Sequence, residues 1–143
     1  MMNGMESTDL FTEEPIEAPK GIDLGLYCAK IVIDKKASNN LLFEVGKLGA
    51  FTDYFLITSG SNEKQTQAIA ESLYSMAKNF NLSYLSMEGF DDGRWILVDL
   101  GSVVIHIFLD TIRDFYNLEE IWGQAPRVRI PEEYYTSPSQ IKH

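Results

Sequence analysis

At 143 residues, 45% of them apolar and 23% charged, the chain has the size and balance of one soluble domain with a sizeable core. A net charge of −9, with no basic cluster longer than Lys35-Lys36, argues against direct grip on nucleic acid. The absence of any run of ~18–20 apolar residues or of a basic-then-apolar opening argues against a membrane span or secretory signal, and the single cysteine, Cys28, leaves no intramolecular disulfide and fits the reducing cytoplasm.

Residues 1–21 read as a disordered acidic leader: Glu6, Asp9, Glu13, Glu14 and Glu17 stand against Lys20, with Pro15 and Pro19 and little periodicity. The body, residues 22–124, opens with a helix from about Asp23 to Ala37, where Leu24, Tyr27, Cys28, Ile31 and Val32 recur at helical spacing. Cys28 lies inside that apolar pattern, which favours an inert core thiol over a reactive one. Ser38-Asn39-Asn40 ends the helix. Leu41–Val45 reads as a short strand, Gly46 and Gly49 mark a connection, and Tyr54–Thr58 is a second strand closed by Ser59-Gly60-Ser61. The next helix starts at Asn62, a good N-cap, with Glu63 favourable to the dipole and Ile69, Leu73, Met76, Ala77 and Phe80 as its buried stripe.

A third strand is expected near Ser83–Met87. Two apolar runs follow, Trp95–Val98 and Val103–Leu109, joined by the tight turn Asp99-Leu100-Gly101-Ser102. Short helices are expected from about Ile112 and over Leu118–Trp122. In the exit, residues 125–143, Pro126, Pro131 and Pro138 argue against regular structure, and Glu132-Glu133-Tyr134-Tyr135 reads as a loose patch. The second strand, its helix and the third strand suggest a right-handed β-α-β crossover, and the later strands suggest antiparallel neighbours. The expected fold is α/β: a single layered domain, a mixed sheet of about five strands with helices mainly on one face. The chain offers too few helices to cover both faces, which leaves one face for another molecule.

Chemistry is sparse. The Ser59-Gly60-Ser61 turn before a helix could hold a phosphate, but neither phosphate-loop nor dinucleotide spacing is present. The paired carboxylates a nucleotidyltransferase needs to hold Mg²⁺ are also absent after Gly60-Ser61, so the turn reads as a cap. His106 is the one histidine besides the terminal His143. Asp99 lies across the hairpin and Glu88 is near in sequence, so an acid–base trio is conceivable. A lone His between Ile105 and Ile107 is more often a strand residue with one satisfied hydrogen bond, and a second histidine for a metal site is missing. By period two, Trp95, Leu97 and Asp99 share one face of their strand and Val104, His106 and Phe108 one face of the next. Paired across the hairpin they form an aromatic and aliphatic strip with a polar end. Trp95 as a docking anchor and Trp95 as a core residue under a helix are comparable readings at this point. The acidic charge by itself is read first as a solubility device, and second as a match to a basic protein partner.

The strings T-D-Y-F-L-I-T-S-G-S (52–61), Q-A-I-A-E (67–71), E-G…G-R-W-I-L-V-D-L-G-S-V-V-I-H-I-F (88–108) and R-D-F-Y-N-L-E-E-I-W (113–122) occur in order. Together they resemble the ribosomal silencing factor family, RsfS, also called Iojap-like proteins, over about Asp23 to Trp122. Where the family commonly has Ser at the cap of the middle helix, this chain has Asn62. The resemblance implies a nucleotidyltransferase-like fold without its catalytic carboxylates, hence no catalysis, cofactor or metal. It also implies a cytoplasmic factor that binds large-subunit ribosomal protein fourteen and sterically blocks subunit joining when nutrients are short. Carried over by position, Trp95 would anchor the contact, with Leu97 and Phe108 extending the strip. Asp99 and Glu88 would meet basic side chains and His106 would hydrogen-bond. Arg113 and Tyr116 would hold the C-terminal helix against the sheet. Two rival readings stay open: an enzyme, nucleotidyltransferase-like or phosphohydrolase, using His106, Asp99 and Glu88, and a homodimeric module that pairs the strip with its own copy.

Overall fold

The computed structural model describes residues 17–117, 120 and 123–136. Most of the expected leader, the expected helix over Leu118–Trp122 and the side chain of Tyr116 lie outside the described residues.

Helix α1, Gly21–Asp34, buries Leu24, Cys28, Ala29, Val32 and Ile33. It stops three residues before the expected Ala37 because Lys36 turns left-handed, φ 68°. That turn sends the amides of Lys36 and Ala37 back to the carbonyls of Ile33 and Val32, a Schellman closure that satisfies the last open acceptors without a glycine. Strand β1, Ser38–Glu44, and strand β2, Tyr54–Gly60, form an antiparallel pair. Helix α2, Glu63–Asn79, follows, with Thr66, Ile69, Ala70, Leu73, Met76 and Ala77 buried. Its cap is the expected one: the Asn62 side chain accepts the Gln65 amide at 2.8 Å, a contact that stabilises a helix by ~1 kcal/mol. Strands β3, Ser86–Glu88, β4, Trp95–Asp99, and β5, Val103–Leu109, are sequential antiparallel neighbours. The short helix α3 spans Asp110–Tyr116.

The expected five strands become six. Arg127 and Val128 form β6, which pairs with Phe43 and Leu42 of β1. Pro126 permits this because β6 is an edge strand: proline needs no donor there, and its carbonyl accepts the Glu44 amide at 2.8 Å. The exit is therefore structured as far as 136, with a 3₁₀ turn at Glu132–Thr136. The spatial order is β3-β4-β5-β2-β1-β6. The parallel neighbour of β2 is β5, in the register Tyr54↔Val103 through Gly60↔Leu109. Strand β3 runs parallel to β2, as expected of the crossover, but β5 and β4 lie between them.

Both long helices lie on the same side of the sheet. Leu42, Leu56, Ile96, Val98, Ile105 and Ile107 meet the apolar stripes of α1 and α2 in one cluster. The alternate residues Phe43, Ile57 and Phe108 form a second cluster on the opposite face, with Phe55, Trp95 and Leu41 half-buried against it. Ile112 of α3 and Ala125 of the exit join this second cluster.

Candidate functional site

The face without the long helices can be mapped by register. Across it run Glu88, Leu97, His106, Ile57 and Leu41; beside them lie Trp95, Phe108 and Ser59; then Ser86, Asp99, Val104, Phe55 and Phe43. The pairing predicted for the two apolar runs is present: Trp95↔Phe108, Leu97↔His106 and Asp99↔Val104. Trp95 thus lies on the face opposite α1 and α2, in the cluster that Ile112 of α3 also joins. Its indole is half-buried and packs on Phe108, with ring centroids 5.0 Å apart.

The six residues singled out from the sequence share this face but differ in access. Trp95, Leu97 and Asp99 are partly exposed and Glu88 is exposed. Phe108, 1% exposed, lies beneath its neighbours and supports the strip rather than forming its surface. His106, 6% exposed, is likewise enclosed: Phe55 meets it edge-on at 5.0 Å and Phe108 stacks beside it at 6.2 Å. Its Nδ1 accepts the Trp95 indole N–H at 3.2 Å, and its Nε2 is buried with no hydrogen-bond partner among the described residues. Desolvation pushes its pKa down from 6.5 to about 4, so the ring is neutral at neutral pH.

The acid–base trio is not assembled. His106 Nδ1 is engaged by Trp95, and Asp99 Oδ1 accepts the Gly101 amide at 2.9 Å, capping its own turn. The turn after β2 is also self-contained. The Gln65 side-chain carbonyl takes the Ser61 amide at 2.7 Å, while its Nε2 donates to the carbonyls of Lys35 and Lys36 at the end of α1. The Ser61 and Gln65 amides are thereby engaged within the turn. Among the described residues no group of three or more His, Cys, Asp or Glu is placed to hold a metal. Cys28 is enclosed by α1 and the sheet, and burial pushes its thiol up to about 12. An open cleft of ≈ 580 Å³ lies at the far end of β1, lined by Ala37, Ser38, Asn39, Asn40, Leu41, Arg113 and Tyr135. Arg113 is buried there and donates to Asn39 O at 2.6 Å and Ser59 Oγ at 2.7 Å, tying α3 to β1 and β2.

Two further apolar residues are exposed beside the open face. Phe51 is fully exposed and Leu48 is 46% exposed, both in the β1–β2 connection. Their neighbour Ala50 packs into the open-face cluster. The connection is tied to the turn that Asp99 caps: Thr52 Oγ1 donates to Gly101 O at 2.9 Å, and the Asp53 amide reaches Ser102 O at 3.1 Å. Phe51 therefore stands close to the Asp99 end of the strip. The available signal was two large apolar residues in a glycine-punctuated connection, where polar residues are the rule.

Residues 19–143 match the family model described as ribosomal silencing factor during starvation. A ribosomal silencing factor of Bacillus subtilis is 45% identical over 93 residues, 65% of this chain and 79% of that protein. One from Halalkalibacterium halodurans is 41% identical over 99 residues, 69% and 85% of the two chains. A mouse protein named mitochondrial assembly of ribosomal large subunit protein 1 is 39% identical over 96 residues, 59% of this chain and 42% of its own. Among solved structures, a Bacillus halodurans protein aligns with a TM-score of 0.63 at 38% identity, covering 72% of this chain and 93% of that one.

Proposed function

The chain belongs to the ribosomal silencing factor family, and from that premise we propose that its open sheet face docks on large-subunit ribosomal protein fourteen and sterically blocks subunit joining when nutrients are short. The observation that carries this reading is the placement of Trp95: partly exposed on the face opposite α1 and α2, in one row with Leu97 and Asp99, and diagonal to Glu88 across the β3–β4 pair. An apolar row that starts at Trp95, ends at an acid and has a second acid beside it suits contact with a basic protein, where the apolar part supplies affinity and the acids supply orientation. The −9 charge of the chain disfavours bare RNA as the direct target. The mouse relative's name, which refers to the ribosomal large subunit, supports a target on that subunit. Phe51 and Leu48 extend the contact past the Asp99 turn. The action is steric and non-catalytic, and a homodimer through the same face would compete with docking.

Sedimentation of the purified protein with large ribosomal subunits, with and without small subunits, tests the reading. The protein should travel with free large subunits and not with intact ribosomes. Trp95→Ala should lose ~2 kcal/mol or more of binding. It should cost less folding stability than the ~3–5 kcal/mol of a fully buried tryptophan, because the indole is only partly buried. Equal binding to protein-free ribosomal RNA, or unchanged pelleting of Trp95→Ala, would sink the proposal.

A further inference from the structure

We propose that His106 is a positioning residue for docking, whose Nδ1 lone pair holds the Trp95 indole by its N–H and fixes the ring against Phe108 before the partner arrives. This rests on the docking role just proposed for Trp95.

The geometry begins with register. Leu97 stands opposite His106 and Trp95 opposite Phe108, so His106 is the diagonal neighbour of Trp95 across the β4–β5 pair. Diagonal residues are within reach only of long or aromatic side chains, and here the two rings meet through Nε1–H···Nδ1 at 3.2 Å. An indole N–H can only donate, so Nδ1 must carry the lone pair and the imidazole proton rests on Nε2. That Nε2–H is buried and has no partner among the described residues. The same-face side chains directly beside and opposite His106 are Val104, Phe108, Leu97 and Ile57, all apolar, and the diagonal ones are Phe55, Ser59, Trp95 and Asp99.

A buried donor without an acceptor is a debit in folding, and an apolar ring of the same shape would remove it. Residues that lower stability in this way concentrate where function requires them. What His106 supplies in return is an acceptor for the Trp95 N–H. A partly exposed tryptophan free to change rotamer would lose that freedom on binding, and a tryptophan already held loses less. The same bond determines what the partner meets. With its N–H engaged inside the domain, Trp95 presents hydrocarbon rather than a donor, so the cognate surface opposite it is apolar or the aliphatic stem of a basic residue.

Full-length wild-type, His106→Phe, His106→Asn and Trp95→Ala proteins separate this role from a structural one. Phe keeps the ring and removes both nitrogens, whereas Asn places an oxygen acceptor where Nδ1 stood. Three quantities are read: thermal midpoint, the Trp95 indole N–H resonance by nitrogen–proton NMR, and pelleting with purified large ribosomal subunits. His106→Phe should melt at or above the wild-type temperature. Its Trp95 N–H resonance should shift upfield and exchange faster with solvent, and its affinity should fall roughly three- to tenfold, the scale of immobilising one side chain. His106→Asn should recover the resonance and most of the affinity. In the Trp95→Ala background, His106→Phe should have no further effect. An unmoved indole resonance in His106→Phe would overturn the proposal, as would wild-type affinity in a set where Trp95→Ala is weakened. If Trp95→Ala itself pellets as well as wild type, the docking reading fails, and the indole resonance still decides whether His106 holds the ring.

Discussion

A Cβ added to Gly89 would lie 2.2 Å from the carbonyl oxygen of Trp95. The backbone entering β4 is therefore laid directly against the glycine that leaves β3, at φ +82°. The loop between them is pinned by α2: Thr66, fully buried, donates to Gly93 O at 2.7 Å, and Gln67 Nε2 donates to Phe90 O at 2.8 Å. Trp95 reaches the open face from a rigid platform.

Gly89→Ala should accordingly lose about 3 kcal/mol or more of folding stability, combining left-handed backbone strain with a backbone collision that no rotamer relieves. Urea unfolding of this variant beside wild type measures it. A loss below ~1 kcal/mol would show that the loop relaxes and that Trp95 is not rigidly placed.

Glu88 is a cleaner probe of the acidic rim than Asp99. Asp99 caps its own turn through the Gly101 amide, so reversing its charge also disturbs the hairpin. Glu88 is exposed on the edge strand opposite Leu97. Glu88→Lys should weaken large-subunit binding by roughly 1 kcal/mol at low salt, with the difference shrinking as ionic strength rises past ~0.15 M. A penalty independent of salt would place the basic partner elsewhere.

Phe51→Ser should leave the melting temperature within experimental scatter, because the ring is fully exposed. Pelleting with large subunits should weaken by ~1–2 kcal/mol if the β1–β2 connection joins the contact. Unchanged pelleting would confine the docking face to β3, β4 and β5.

His106 makes stability depend on pH. Its folded pKa of about 4 lies below the ordinary 6.5. Between those values the unfolded chain binds a proton that the folded chain refuses, so stability is full above about pH 6.5 and falls as pH drops toward 4. At about pH 5 the deficit relative to about pH 7.5 is ~2 kcal/mol. Carboxylates titrate in the same range, so the measurement is the difference between wild type and His106→Phe, which lacks this proton site. Parallel urea midpoints for the two proteins from about pH 7.5 to 5 would contradict it.

Much of the fold was legible because local chemistry and global structure agree. Asn62 caps α2, Gly101 closes the β4–β5 hairpin, and the period-two sets Trp95-Leu97-Asp99 and Val104-His106-Phe108 pair as expected. Each of these follows from residues within a few positions of one another. The end of α1 was misplaced because Lys36, not a glycine, takes the left-handed closing conformation. Strand β6 was missed because Pro126 and Pro131 signal irregularity, and only the free edge of β1 makes a two-residue pairing worthwhile.

The amino-acid sequence alone determined which residues alternate across each strand, and hence that Trp95, Leu97 and Asp99 travel together. Only the tertiary structure decided which side of the sheet they occupy. A strand's alternation is symmetric between its two faces until something covers one of them, and the covering here is a long-range event. Helices α1 and α2 pack against Leu42, Leu56, Ile96 and Ile105, leaving the opposite face to Trp95 and its neighbours. The same holds for His106. Nothing in Ile105-His106-Ile107 reveals its bond to Trp95, because that bond exists only once β4 and β5 are in register and Phe55 and Phe108 have enclosed the imidazole.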